Sequence, residues 1–598
     1  MSAARASWRV ALPFVVLAVA SPVRAQIATT EPDTAASRVD TDDVLGSARG
    51  AQARFERERI RLLPLTAQPF GGDCDEIVGR LCTTYGEGEW YPLPEDPEIP
   101  RLRADLLAEL DSLQRLVPES DWILGQRVWY RAEQGEWDAA RRTAERCGAA
   151  QRWWCDALTG FALHGAGAYA EAEARFARAL EGMDPTDARR WRVPRWPVDG
   201  AVRDRMEEVA PGSREERALL ARLWALADPL YLVDGNDRLT AHYARWTVAR
   251  LRDRARNPFR LSWGEDLEQL TVRHGWEMGW ERRPARDFSR LDDVVGHKHP
   301  EGRDYLPPGD ILDGPEGATL LDLRADRSRP RSLYAPAYAP VLLPMDAQIA
   351  AFPRGPTTVL VSTHTLPEDT TYHVDHDHPR PWMEPGDQAG EVDRIGLFAY
   401  SVEGGGVPGV QRTGTVEGAL MLEVETGPYV LSAESFSPSR RRAGRFRVGM
   451  PERPAPPDIA TLSDILMLRP EGGESLALED ALEWALPAPR LLPGQPLAIG
   501  WEVVGLGFRS ETLEFAVSVE RTDRSLLGRI GGFLGISDPP RPLALSWQEP
   551  GPSEPGPVFR SLALDIPDLE EGEYEIRLVL RTAGRSEAVT ARAFRVGR

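Results

Sequence analysis

The chain has 598 residues, 42% of them apolar and 18 of them tryptophan, enough for several domains with sizeable buried cores. Its 92 acidic and 72 basic residues leave a net charge of −20, which repels phosphate backbones and anionic lipid and argues against a nucleic-acid partner. Only one residue, Lys298, is a lysine, so Schiff-base or phosphate-loop chemistry has a single candidate, and no phosphate-loop motif surrounds it.

The N-terminus reads as a cleavable export signal over residues 1–25. Arg5 and Arg9 give it a positive start, Val10 to Ala20 is apolar, and Val23-Arg24-Ala25 places small or short residues before Gln26. The apolar run is too short to span a bilayer, and no later run approaches the ~18 to 20 residues a transmembrane helix needs. Cleavage removes three arginines and no acid, taking the charge from −20 to −23. The mature chain is expected in the periplasm, at the outer membrane or outside the cell.

Residues 26–96 follow as a polar leader and a cysteine-stapled segment, with a short helix near 43–61. The four cysteines form two pairs with a spacing of eight, Cys74 with Cys82 and Cys147 with Cys155. Two local disulfides are the simplest pairing in an oxidising compartment, although four cysteines allow three connectivities and buried free thiols are the alternative. Neither spacing is C-x-x-C, which argues against thiol–disulfide catalysis and a zinc knuckle.

Residues 97–186 are helical. Leu102, Leu106, Leu110, Leu113 and Val117 step along one face before Pro118 ends the run. A repeat of period 32 then matches Gly135, Trp137 and Ala140 to Gly167, Tyr169 and Ala172. This resembles a tetratricopeptide repeat, whose usual period is about 34, and implies either a partner-binding groove or a helical packing unit. Residues 187–312 form a further module. Ser213 and Glu216 sign a helix start, Arg214–Ala227 and Asp237–Arg254 read as helices, and Leu270, Val272 and His274 alternate as a short strand. The rest, to 312, reads as long ordered loops.

From about 316 the chain reads as β structure, with period-two alternation at Leu420–Val424, Leu497–Val503, Leu513–Val519 and Tyr574–Leu580. Gly427-Pro428-Tyr429 followed by Phe446-Arg447-Val448-Gly449 recurs as Gly572-Glu573-Tyr574 and Phe594-Arg595-Val596-Gly597, at offsets of 145 and 148 residues. The fold class predicted is therefore multidomain α + β. An N-terminal helical, tetratricopeptide-like half precedes two tandem antiparallel β-sandwiches, 316–450 and 459–598, joined by the Pro-rich linker 451–458.

Chemistry-bearing residues are few. His373, Asp375, His376 and His378 are dense enough to hold a divalent metal if a turn gathers them, and otherwise form a solvated polar loop. Gly296-His297-Lys298-His299-Pro300 reads as a structural knot in a long loop. Gly404 to Gly409 spells G-x-G-x-x-G but lies between antiparallel strands, so it reads as a hairpin loop rather than a dinucleotide site. Trp263, Trp276 and Trp280 lie close in sequence, as a sugar-stacking surface or as core. No hydrolase, zinc-protease or redox motif is present, no catalytic residue is assigned and no cofactor is required.

Residues 262–276 (SWGEDLEQLTVRHGW) resemble the bacterial GWxTD domain. Trp263, Asp266 and Gly275 match its pattern, Leu270 and Val272 match its strand, and Leu223-Trp224 with Ala227-Asp228-Pro229 resemble its upstream helix end; Ser262, Glu265 and Trp276 depart from it. That family has no established reaction, so the resemblance implies an exported protein with β-rich partners and supplies no catalytic residues. The reading of function is a binding or scaffold module with an envelope protein partner. The alternative is a carbohydrate-binding or metal-dependent enzyme using the His373–His378 loop or the Trp263–Trp280 segment.

Overall fold

A computed structural model describes residues 40–66, 75–83, 93–284, 292–299, 302–313, 331–364, 393–401, 409–411, 418–457, 459–472, 477–522, 543–566 and 569–597. Its first half is helical: α1 (Thr41–Leu62), a small hairpin of β1 (Glu76–Val78) and β2 (Leu81–Thr83), then α2 (Glu98–Leu116), α3 (Asp121–Ala132), α4 (Trp137–Glu145), α5 (Arg152–Gly165) and α6 (Tyr169–Gly182). There follow α7 (Pro185–Arg192), α8 (Gly200–Glu208), α9 (Arg214–Ala227), α10 (Asp237–Arg252) and α11 (Glu265–His274).

The expected repeat is two helix pairs, α3–α4 and α5–α6. Their turns place Gly135 (φ 77°) and Gly167 (φ 80°) in the left-handed region, which only glycine enters without strain. Ala140 and Ala172 are fully buried, so the neighbouring helices approach closely. Cys147 and Cys155 are disulfide-bonded across the α4–α5 turn. The long α10 packs across α3, α5 and α6 and closes the core.

Three expectations in this half are corrected. The first helix has 22 residues rather than being short. The strand expected at Leu270–His274 is the helix α11: an acidic first turn (Glu265, Asp266, Glu268) suits its N-terminus, and Gly275, at φ 80°, ends it. The loops expected before 312 contain a hairpin of β3 (Gly279–Arg283) and β4 (Asp293–His297).

The second half holds two antiparallel sandwiches. The first comprises β5 (Val341–Pro344), β6 (Ala347–Pro353), β7 (Thr357–His364), β8 (Arg394–Ser401), β9 (Gly409–Gln411), β10 (Gly418–Glu425), β11 (Tyr429–Ser437) and β12 (Arg442–Met450). The second comprises β13 (Thr461–Leu462), β14 (Leu466–Leu468), β15 (Arg490–Leu491), β16 (Leu497–Val504), β17 (Thr512–Arg521), β18 (Leu543–Pro550), β19 (Val558–Leu564), β20 (Gly572–Thr582) and β21 (Ala588–Val596).

One strand order serves both. Sheets β10-β7-β6 and β5-β12-β11-β8-β9 of the first correspond to β19-β16-β14 and β15-β21-β20-β17-β18 of the second, and in each the short leading strand pairs parallel with the last. The expected G-x-Y hairpins are β11–β12 and β20–β21. In both, the tyrosine hydroxyl donates to a backbone carbonyl four residues upstream: Tyr429 to Glu425 at 2.9 Å and Tyr574 to Glu570 at 2.9 Å. This is the tyrosine corner of immunoglobulin-type sandwiches.

Each sandwich has its own interior, Ile349, Leu360, Leu397 and Leu431 in the first, and Ile499, Trp501, Phe515 and Ile576 in the second. The first is also covered outside. Phe352, Val359 and Val361 pack on Leu466, Leu468 and Phe559 of the second sandwich, while Phe398, Tyr400, Val430 and Phe436 pack on the helical half.

Polar clamps fix the junction between sandwiches. Gln348, fully buried, donates to Leu486 O (2.9 Å) and accepts from Met467 N (2.6 Å). Arg592 spans Ile465 O (3.0 Å) and Ile349 O (2.7 Å).

Candidate functional site

The sequence-predicted residues do not assemble into one site. His373, Asp375, His376 and His378 lie outside the described residues, as do residues 402–408 of the glycine loop, and Gly409 opens β9. Among the described residues no group of three or more His, Cys, Asp and Glu side chains could hold a metal ion. Cys82 is disulfide-bonded, and Cys74, the partner its spacing suggests, lies outside the described residues.

The three tryptophans are half-buried and face different neighbours. Trp276 meets Phe161 edge-on at 5.6 Å beside the helical core, and Trp280 meets Phe259 at 4.8 Å. Trp263 lines a shallow surface dent with Arg80 and Asp266.

Asp266 anchors the β1–β2 hairpin. Arg80 grips both of its carboxylate oxygens, at 2.6 and 2.7 Å, and holds that carboxyl well below its ordinary pKa. Arg273 makes a matching fork to Glu76, 2.8 Å to each oxygen.

The expected basic knot at 296–300 begins in strand β4 rather than in a loop. Lys298 is engaged in an ion pair: its Nζ meets Gly275 O at 2.5 Å and Glu277 at 2.6 Å, while Arg252 meets the other Glu277 oxygen at 2.6 Å. Although burial opposes the charge on Glu277, these two cations pull its pKa down to about 2.

A buried polar seam joins the helical half to the first sandwich. Arg447 and Glu434, both fully buried, pair at 3.2 Å. Arg447 also donates to Leu226 O (2.9 Å) and Ser432 Oγ (2.9 Å), and Tyr231 places its ring 4.1 Å from the guanidinium. Burial works against the Arg447 charge, but Tyr231, Glu434 and Asp228 outweigh it and hold its pKa above the usual value. Arg445 donates to Asp228 O and Pro229 O, and burial lowers it to about 9.

At the start of α10, Tyr334 donates to Asp237 at 2.6 Å. Burial pushes the carboxyls of both Asp228 and Asp237 up, and keeps the neighbouring imidazoles of His164 and His242 neutral by lowering them to about 3.

Beside this seam opens the cleft we take as the candidate site, a cavity of about 650 Å³ between the helices and β8. One wall is the stripe Arg217, Leu220, Ala221, Trp224, Ala225 and Asp228 along α9, positions that share a helix face. The opposite wall is Asn236, Leu239 and Tyr243 of α10, with Glu173 of α6 and Arg192 of α7. Phe398 and Tyr400 of β8 close the base.

Asn236 fixes the corner. Its side chain caps α10 through Leu239 N (2.8 Å) and donates to Trp224 O (2.6 Å), while its own N–H donates to Glu173. Asp228 accepts from Leu230 N at 3.2 Å through one oxygen and lines the cleft. Sequence reading missed this site because its walls come from five elements spread between residues 173 and 400. The only local signal was the Leu223-Trp224…Asp228-Pro229 helix end.

No protein-family profile and no curated protein matches the chain. Among solved structures it is similar to the crystal structure of red sea bream transglutaminase, 8% identical over 43% of this chain, with a TM-score of 0.14. The match spans 32% of that chain, about a third of its length, and so slight a likeness assigns neither fold nor chemistry.

Proposed function

We propose that the protein is an exported binding or scaffold module of the cell envelope, and that it engages its partner at the cleft between α9, α10 and β8. The observation that carries this reading is the cleft itself. Its volume of about 650 Å³ lies within the ~300–1,000 Å³ usual for ligand sites, and a buried ionic pair, Arg447–Glu434, ties the helical half to the first sandwich beside it. The signal-like leader and the Cys147–Cys155 disulfide support an oxidising destination. The GWxTD-like stretch agrees with an exported, β-rich protein and adds no chemistry.

The test is affinity capture from envelope extract with the mature chain and with Ala221→Arg, which fills the cleft from an exposed position of α9. Capture of a reproducible partner by the mature chain and its loss with Ala221→Arg is the expected result. Equal capture by both, or detection of the unprocessed chain in the cytoplasm, would overturn the proposal.

A further inference from the structure

The cleft has chemically distinct ends. Arg217 and Asp228 are eleven residues apart on α9, which a rise of 1.5 Å per residue converts to about 16 Å. At the Asp228 end, one carboxylate oxygen takes the Leu230 N–H, and the other has no hydrogen-bond partner among the described residues. At the other end, Arg217 is exposed and bonded to the Gly212 carbonyl. Arg192 stands near enough to the Tyr243 hydroxyl to act on it electrostatically and makes one long bond, 3.4 Å, to Leu180 O. Between the ends the α9 wall is Leu220, Ala221, Trp224 and Ala225.

A carboxyl at one end, guanidinium groups at the other and an apolar wall between them fit a ligand with an ammonium, an apolar body and a carboxylate; burial favours the neutral Asp228 carboxyl, and the arriving ammonium displaces its proton to solvent. An extended chain advances about 3.3 Å per residue, so three or four residues plus the reach of the Asp and Arg side chains fill that length. A sugar fits less well. The Trp224 ring is 5% exposed, with Arg238 at 5.7 Å and His242 at 4.9 Å from it, so little of its face is offered to a pyranose.

We infer that the cleft binds short apolar peptides through their free termini, with the amine at Asp228 and the carboxylate at Arg217 and Arg192. This rests on the binding reading above and names its ligand class.

The experiment is titration calorimetry of the full mature chain with the tripeptide Leu-Ala-Leu, its N-acetylated form and its C-amidated form. The free peptide binds, and blocking either end weakens it about tenfold or more, about 1.4 kcal/mol. Arg217→Ala, at an exposed position, shrinks the difference between free and amidated peptide to what Arg192 alone supplies but keeps the penalty for acetylation. Asp228→Asn does the reverse; because Asp228 is buried, its fold is checked by circular dichroism, and Arg217→Ala alone decides if it unfolds. Equal affinity for free and blocked peptides, or no heat with any of them at about 1 mM, refutes the inference. Loss of peptide binding with retained, Ala221→Arg-sensitive partner capture would sink the peptide assignment and leave the binding reading standing.

Discussion

Replacing Glu434 with glutamine probes the seam that holds the cleft walls. Glu434 Oε1 accepts from Ser432 Oγ (2.7 Å) and from Arg447 Nη2 (3.2 Å), while Oε2 accepts from Leu232 N (3.1 Å). A glutamine has the same shape but only one acceptor oxygen. Whichever way its amide turns, an NH₂ group faces a donor, and the Arg447 charge stays buried beside a neutral partner.

Removing one member of a buried pair costs about 3–5 kcal/mol. At roughly 2 °C per kcal/mol for a large cooperative unit, the expected fall in Tm is about 6–10 °C. Differential scanning calorimetry is the assay, and the transition that moves should be the one shared by the helical half and the first sandwich, because Arg447 also binds Leu226 O on α9. Arg447→Met in the Glu434→Gln background should cost less than the two single changes added, since the stranded cation is gone. A fall under about 1 kcal/mol for Glu434→Gln, or strict additivity in the double variant, would refute the reasoning. The half-exposed pair Arg581–Glu587 is the control, with Glu587→Gln expected within about 0.5 kcal/mol.

Asp228 and Asp237 have raised pKa values in the folded state, so the fold binds their protons more tightly than the unfolded chain, where a carboxyl titrates near about 3.9. Their contribution is greatest at low pH and is lost as pH rises above that value. The buried imidazoles of His164 and His242, lowered to about 3, act in the opposite sense below the unfolded histidine value of about 6.5, so the carboxyl contribution is read by difference. The Tm of Asp237→Asn relative to the native chain should rise between pH 5 and 8, and a constant difference would count against the burial argument. Glu277, lowered to about 2, also acts in the opposite sense to the aspartates, but its contribution is lost only below the unfolded carboxyl value, outside the range measured. Cys147→Ser opens a loop with a separation of eight residues, and chain entropy sets the loss at about 2.5 kcal/mol by urea denaturation. Tyr429→Phe and Tyr574→Phe should each cost about 1 kcal/mol, in the first and second sandwich transitions respectively.

Period and punctuation made most of the architecture legible. Ser213 does cap α9, accepting from Glu216 N at 3.0 Å, and the alternating runs at Leu497–Val503 and Tyr574–Leu580 are strands. The failure at Leu270–His274 has a physical cause. Three alternating residues are too few to separate period two from period 3.6, whereas the acidic first turn and Gly275 were the end signals that decide for a helix.

Strands β7 and β11 showed no alternation because both their faces are buried, one in their own sandwich and the other against a neighbouring unit. The β3–β4 hairpin is held by packing such as Trp280 on Phe259, which no local pattern announces. The cleft was hidden because its chemistry is divided among distant elements, whereas Lys298, noted as the single candidate for lysine chemistry, and Asp266, noted for the family resemblance, serve as anchors.

The Gln348 and Arg592 clamps have a mechanical corollary. Because each inserts a polar side chain from one sandwich into backbone groups of the other, the pair behaves as one stiff strut rather than beads on a string. The second sandwich is therefore braced against the first, whose strand β8 forms the base of the cleft, so a strain on the junction loads the sheet that lines the mouth.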